Sequence, residues 1–249
     1  MADPALLILG GTTLAMGIAR AAAGPGRRAV YSLAGRTEPK SAPDMEVRTG
    51  GFGGAEALAD YLRRENITAV IDATHAYAAG ISANTRAACA AANIPLLRLQ
   101  EPPWQAQPGD RWIDVMDLAE ARDKAAEIAS RVFVTTGRQA MAQFAGDLRC
   151  WWLARVIAPG ADLPELSHGG YVYDRGPFDL SGELTLLYDH KITAVISKNS
   201  GSAATYGKIA AARELALPVI MIARPVSGDE VQVETVADAV SWLDQWRSI

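Results

Sequence analysis

A chain of 249 residues, 49% apolar and 21% charged, has room for a packed core and for one large domain or two of ordinary size. Its formal charge of −4 argues against general nucleic-acid binding, so an anionic partner must be held by a local cluster of basic side chains. Two isolated cysteines, Cys89 and Cys150, are too few for a disulfide framework or a zinc site and fit a reducing cytoplasm; no basic segment leads into the short apolar run 5–9 as a secretory signal requires, and no run approaches the ~20 apolar residues of a membrane span.

The first half alternates apolar runs with helical ones. The segments "ALLIL" (5–9), "RAVYSL" (28–33), "AVID" (69–72) and "PLLRL" (95–99) are expected as buried strands. Between them "TLAMGIARAAA" (13–23), "GAEALADYLRRE" (54–65) and "GISANTRAACAAA" (80–92) are expected as helices. Such alternation implies βαβ units and a parallel sheet covered on both faces. In these sheets ligands sit at the carboxyl ends of the strands.

Three polar clusters fall at such ends. Gly10, Gly11, Thr12 and Thr13 follow the first strand; the glycines allow close backbone approach, and hydroxyls with a helix N-terminus can donate to a phosphate. The GxGxxG spacing is absent, since the next glycine is Gly17, so a plain βα turn is the competing reading. Gly35, Arg36 and Thr37 follow the second strand, where an NAD site usually carries an acid for the ribose. An arginine there would attract a 2′-phosphate, which favours NADPH; a solvated surface arginine is the bland alternative. Asp72, Thr74, His75 and Tyr77 follow the third of these strands, and His75 could donate to a cofactor, move a proton near neutral pH, or merely cap a helix.

The pattern restarts in the second half. "RVFVTTG" (131–137), "TAVISKNSG" (193–201) and "LPVIMIARP" (217–225) are strand-to-loop segments; "DLSGELTLLYDH" (179–190) and "TYGKIAAARELA" (205–216) are helical. Their ends supply Thr135, Thr136, Gly137 and Arg138, then Lys198, Asn199, Ser200, Gly201 and Ser202, then Arg224. With Arg155 in "WLARVIAP" and Arg98 in the first half, five basic residues would converge on a ligand bearing several carboxylates. Five separate surface charges is the alternative, and "SKNSGS" could equally cradle a phosphate, which would swap the roles of the halves. The Gly- and Pro-rich stretch 157–178 exceeds an ordinary connection and suggests a lid or binding loop. No YxxxK pair, P-loop, nucleophile elbow or zinc-protease motif is present.

An internal echo links the halves. "NIPLLRLQEPPW" leads to "WIDVMDLAEARDKAAEI", and "ALPVIMIARPVSG" leads to "EVQVETVADAVSWL". Either αβ units simply look alike, or two similar domains meet near residue 130 and could exchange their last strands. The resulting expectation is an α/β protein of two Rossmann-like domains, each a mainly parallel sheet flanked by helices, spanning 1–130 and 131–249.

The motifs "LGGT", "LAGRT", "DATHAYA", "TTGR", "RGPF" and "VISKNSGSAATYGKIAAARELALPVIMIARP" resemble the precorrin-6A reductase family of the cobalamin (vitamin B12) pathway, over nearly the whole chain. One departure is Ala76, where the family commonly has proline. The resemblance implies NADPH-dependent reduction of one carbon–carbon double bond of a tetrapyrrole polycarboxylate, hydride going to one ring carbon and a proton to its neighbour. Gly10–Thr13 would then take the pyrophosphate, Gly35–Thr37 the 2′-phosphorylated ribose, and Thr74, His75 and Tyr77 the nicotinamide side. Thr136, Gly137, Arg138, Arg155, Lys198, Asn199, Ser200, Gly201, Arg224 and Arg98 would hold the substrate, with no metal. His75 is the nominated proton donor, although water or a substrate carboxyl would serve as well. A cytoplasmic enzyme, in transient contact with neighbouring pathway enzymes, is expected. A reductase of the cobalt-containing precursor and a non-catalytic polyanion-binding protein are the other readings.

Overall fold

The structure, a computed structural model, describes residues 3–23, 28–35, 45–226 and 228–245. In chain order it contains β1 (Ala5–Leu9), α1 (Thr13–Ala22), β2 (Arg28–Leu33), β3 (Glu46–Thr49), α2 (Ala55–Arg64), β4 (Ile67–Asp72), α3 (Ala79–Ala92) and β5 (Leu96–Leu99). Then come β6 (Arg111–Val115), α4 (Leu118–Ile128), β7 (Arg131–Val134), β8 (Trp151–Val156), β9 (Gly169–Tyr173), α5 (Leu180–Asp189), β10 (Ala194–Lys198), α6 (Gly207–Glu214) and β11 (Pro218–Ile222). The chain closes with β12 (Val231–Val233) and α7 (Val236–Gln245). Among the described residues, no helix is long and apolar enough to cross a membrane.

The strands form two six-stranded sheets, ordered β12-β5-β4-β1-β2-β3 and β6-β11-β10-β7-β8-β9. All the pairings are parallel. Each order is the doubly wound 3-2-1-4-5-6 arrangement. In both cases the sixth strand comes from the other half of the sequence. β6 extends the second sheet beside β11, and β12 extends the first beside β5.

The compact units follow this exchange: residues 1–102 with 225–249, and residues 103–224. The boundary expected at residue 130 is therefore corrected. β6 and α4 belong to the second unit, β12 and α7 to the first. The echo in the sequence marks equivalent pieces, β5-β6-α4 and β11-β12-α7, whose similarity makes either pairing stereochemically available.

Burial on both faces explains the unbroken apolar strands. In the first unit alternate residues of β1 serve opposite layers. Leu6 and Ile8 pack with Ile18, Trp242 and Leu243 of α1 and α7, while Leu7 and Leu9 pack with Leu58 and Leu62 of α2 and with Ala88 of α3. In the second unit Phe133, Leu153, Val195 and Met221 pack against Leu187 of α5 and Ile209 of α6. Helix starts carry local signals: Thr12, Asp117 and Asp179 each accept a backbone amide of the first turn.

The stretch 157–178 is not loop throughout. It contains β9, an edge strand paired to β8 from Trp152↔Gly169 to Val156↔Tyr173. A Cβ at Gly169 would lie 2.1 Å from the Trp152 carbonyl oxygen, so a glycine that reads as loop composition is required for strand pairing.

Candidate active site

The turn after β1 is built around Tyr31. Gly10 donates its amide to Ser32 O at 2.8 Å, and a Cβ there would sit 2.3 Å from Tyr31 Cζ. Gly11 has φ +115 and open space where a Cβ would be, and its amide donates to the Tyr31 hydroxyl at 3.2 Å. Burial pushes the Tyr31 phenol up from its ordinary pKa, so it stays neutral and accepts that bond. The Thr12 hydroxyl donates to Ala73 O at 2.7 Å and accepts the Ala15 amide at 3.0 Å. Thr12 is thus a cap and a strut between β1 and β4, and its proton is committed within the protein. The space beside Gly11, Thr13 and the first turn of α1 are what this turn offers a phosphate. Gly35 has φ +80 beside Thr49, which requires a glycine there; Arg36 and Thr37 lie outside the described residues.

The "DATHAYA" segment is organised by two buried charges. Asp72 and Arg98, 2% and 4% exposed, form an ion pair at 2.6 Å. Asp72 also accepts from the Thr74 amide at 3.0 Å, the Thr74 hydroxyl at 2.7 Å and the Ser82 hydroxyl at 2.6 Å. Arg98 donates through Nε to Gln100 Oε1, through Nη1 to Thr74 Oγ1 and Asp72 O, and through Nη2 to the carbonyls of Thr74 and His75. Its five N–H groups have partners inside the first unit. The expectation that Arg98 grips substrate carboxylates is therefore corrected: it fixes the loop after β4. Thr74 is likewise committed to Asp72 and Arg98.

His75 is left exposed on this fixed loop. Its Nδ1 accepts the Tyr77 amide at 3.3 Å, and the two rings lie 5.7 Å apart. In the neutral form of the ring that bond puts the proton on Nε2. Asp72, Ser82 and Gln100 complete the loop scaffold. Asp72 was visible at a strand end, but nothing in the sequence pairs Ser82 or Gln100 with it.

In the second unit, β7, β10 and β11 are adjacent, and their carboxyl ends bring Thr136, Lys198 and Arg224 onto neighbouring strands. Lys198 Nζ donates to Thr136 O at 2.9 Å, and partial burial lowers its pKa. The Thr136 hydroxyl is buried without a hydrogen-bond partner. Arg224 Nε donates to Asn199 O at 2.6 Å. Gly137 and Gly201 hold φ +86 and +82 in the two turns. The Ser200 hydroxyl pairs with Thr205 at 3.1 Å.

Three expected substrate ligands have other duties. Arg138 pairs with Asp162 and the Ala158 carbonyl, which ties down residues 157–168. Asn199 is hydrogen-bonded through both amide atoms to the backbone of Trp104. Arg155 is 8% exposed; it pairs with Glu183 at 2.5 Å and stacks 3.9 Å from the Phe178 ring centroid. Arg155 is thus a core ion beneath "RGPF", not a surface clamp, and its place as a ligand is corrected. Lys208 of α6, which no site expectation included, shares this interior. Its Nζ donates to Thr205 O at 2.7 Å, and burial lowers its pKa to about 7, against the pull of Glu183 and with the push of Arg155.

The described residues contain no cluster of His, Cys, Asp and Glu fit for a metal. Known proteins match across almost the whole length. Residues 5–244 fit the family model described as precorrin-6x reductase CbiJ/CobK. The precorrin-6A reductase of Rhodobacter capsulatus is 42% identical over 238 residues, covering 96% of this chain and 95% of that protein. The cobalt-precorrin-6A reductase of Salmonella typhimurium is 28% identical over 254 residues, covering 97% and 96%. A solved CobK precorrin-6A reductase matches with a TM-score of 0.90 at 41% identity, covering 98% of this chain and 97% of that one.

Proposed function

We infer that this chain, which belongs to the precorrin-6x reductase family, is the oxidoreductase that reduces a carbon–carbon double bond of precorrin-6A to give precorrin-6B in cobalamin biosynthesis. Greater identity to the metal-free than to the cobalt-named reductase favours the metal-free substrate.

The observation that carries the division of labour is a contrast between equivalent strands. β4 and β10 hold the same place in their sheets. β4 ends in Asp72, closed off by Arg98; β10 ends in Lys198, beside Thr136 and Arg224. A carboxylate-rimmed macrocycle suits the second set, whereas Arg98, the basic residue at the first, is spent on Asp72.

The first unit is assigned NADPH, which supplies the hydride when bound. The cradle at Gly11 and the N-terminus of α1 receive the pyrophosphate through backbone amides and the Thr13 hydroxyl, with Thr12 holding the turn to β4. Gly35, Arg36 and Thr37 are assigned the 2′-phosphorylated ribose on sequence grounds. The loop fixed by Asp72 and Arg98 presents His75 and Tyr77 toward the nicotinamide end. His75 is the nominated donor of the proton to the carbon next to the one that accepts hydride, giving it up as the imidazolium and ending as the neutral ring. In the second unit Lys198 and Arg224 hold the carboxylates, with Thr136, Gly137 and Gly201 shaping the turns. Catalysis is then chiefly orientation of a cofactor that carries the chemistry.

The test is oxidation of NADPH and of NADH with precorrin-6A and with its cobalt form. Turnover with NADPH and metal-free precorrin-6A is expected. Turnover confined to the cobalt form would overturn the substrate assignment, and equal use of NADH would overturn the role given to Arg36.

A further inference from the structure

The chain enters the second unit at Pro103 and leaves it after Arg224, the two crossings that the strand exchange requires. Both ends meet one residue. Asn199 Oδ1 accepts the Trp104 amide at 2.7 Å, and Asn199 Nδ2 donates to the Trp104 carbonyl at 3.0 Å. The Asn199 carbonyl accepts Arg224 Nε at 2.6 Å. Residues 101–107 form neither helix nor strand, and within them both backbone groups of Trp104 are held by a side chain 95 positions away.

We propose that Asn199 is a positioning residue, a clasp that fixes both crossing points of the second unit and thereby places Lys198 and Arg224 for the substrate. The chemistry is specific. A side-chain amide matches a peptide group donor to acceptor and acceptor to donor. Aspartate keeps the bond from the Trp104 amide but turns an oxygen toward the Trp104 carbonyl; alanine keeps neither. Asn199 directly follows Lys198 at the end of a central strand, so the clasp is anchored to a strand whose first four residues are buried. The Trp104 ring, seated edge-on to Tyr206 with centroids 5.6 Å apart, adds an apolar anchor at the entry point.

The placement of Lys198 and Arg224 for substrate rests on the reading under Proposed function; the clasp itself does not. The test compares wild type, Asn199→Asp and Asn199→Ala in the full chain. Hydrogen exchange of the peptide 101–107 reads the clasp. KM for precorrin-6A against the dissociation constant of NADPH reads the positioning. Each lost hydrogen bond is expected to speed exchange at 101–107 about fivefold, so alanine exceeds aspartate while β1 and β4 stay protected. KM for precorrin-6A is expected to rise in the same order, by at least about fivefold for alanine, with NADPH affinity unchanged. Unchanged exchange at 101–107 overturns the clasp. Faster exchange with unchanged KM overturns the positioning role. Wild type that fails to reduce precorrin-6A counts against the proposed function, and the exchange experiment then still decides the clasp. If alanine does not fold, aspartate alone carries both readouts.

Discussion

At the scale of single residues, burial and ion pairing identify the structural basic side chains. Arg98 neutralises Asp72 and holds the loop that carries His75. Arg98→Ala leaves a buried carboxylate without its counter-ion and is expected to cost about 3–5 kcal/mol in chemical denaturation. Adding Asp72→Asn should recover part of the loss, because the two residues are directly coupled. Lys208 makes a prediction in pH. Its folded pKa of about 7 lies below the ordinary lysine value of 10.5. Below about pH 7 both folded and unfolded chains hold the proton, and the cost of burying the charge is fully present. As pH rises from about 7 toward 10.5 the folded amine is neutral while the unfolded one is still charged, so stability gains with pH. Lys208→Met removes this titration. Urea midpoints at pH 6.5 and 9.5 should show wild type gaining on the variant at the higher pH; parallel shifts would contradict the buried titration.

At the scale of elements, the β1–α1 turn shows how closely a glycine packs against an aromatic ring. Tyr31 is 1% exposed and cannot move aside for a Cβ on Gly10. Gly10→Ala is expected to cost about 1–3 kcal/mol through overpacking and to break the Tyr31–Gly11 bond that sets the turn. Weaker NADPH binding, read by fluorescence titration, should accompany the lower stability; unchanged affinity would remove the turn from the cofactor site. The helices needed little tertiary help to be seen, since Thr12, Asp117 and Asp179 mark their starts and apolar periodicity marks their buried faces. β3 and β9 were not visible. β3 is exposed at a sheet edge, and β9 hides in glycine-rich sequence whose small residues serve close approach to β8.

At the scale of the whole molecule, the exchanged strands make each unit depend on a distant part of the chain. β12 and α7 contribute Trp242 and Leu243 to the first core and cover β5. Removing residues 226–249 is expected to unfold the first unit while sparing the second. The two buried cysteines report on this separately, Cys89 from the first unit and Cys150 from the second. Rapid thiol labelling of Cys89 with continued protection of Cys150 is the expected result; labelling of both, or of neither, would show that the units do not behave this way. The sequence by itself determined the α/β class, most elements, the strand-end location of polar clusters and the family resemblance, because each is written in local periodicity, turn chemistry or contiguous motifs. Tertiary structure alone decided which sheet receives β6 and β12, since equivalent strands offer the same backbone hydrogen bonds to either partner. It alone decided, too, that Arg98 and Arg155 are buried ions, because a cation's role is fixed by the acid and the solvent it meets after folding.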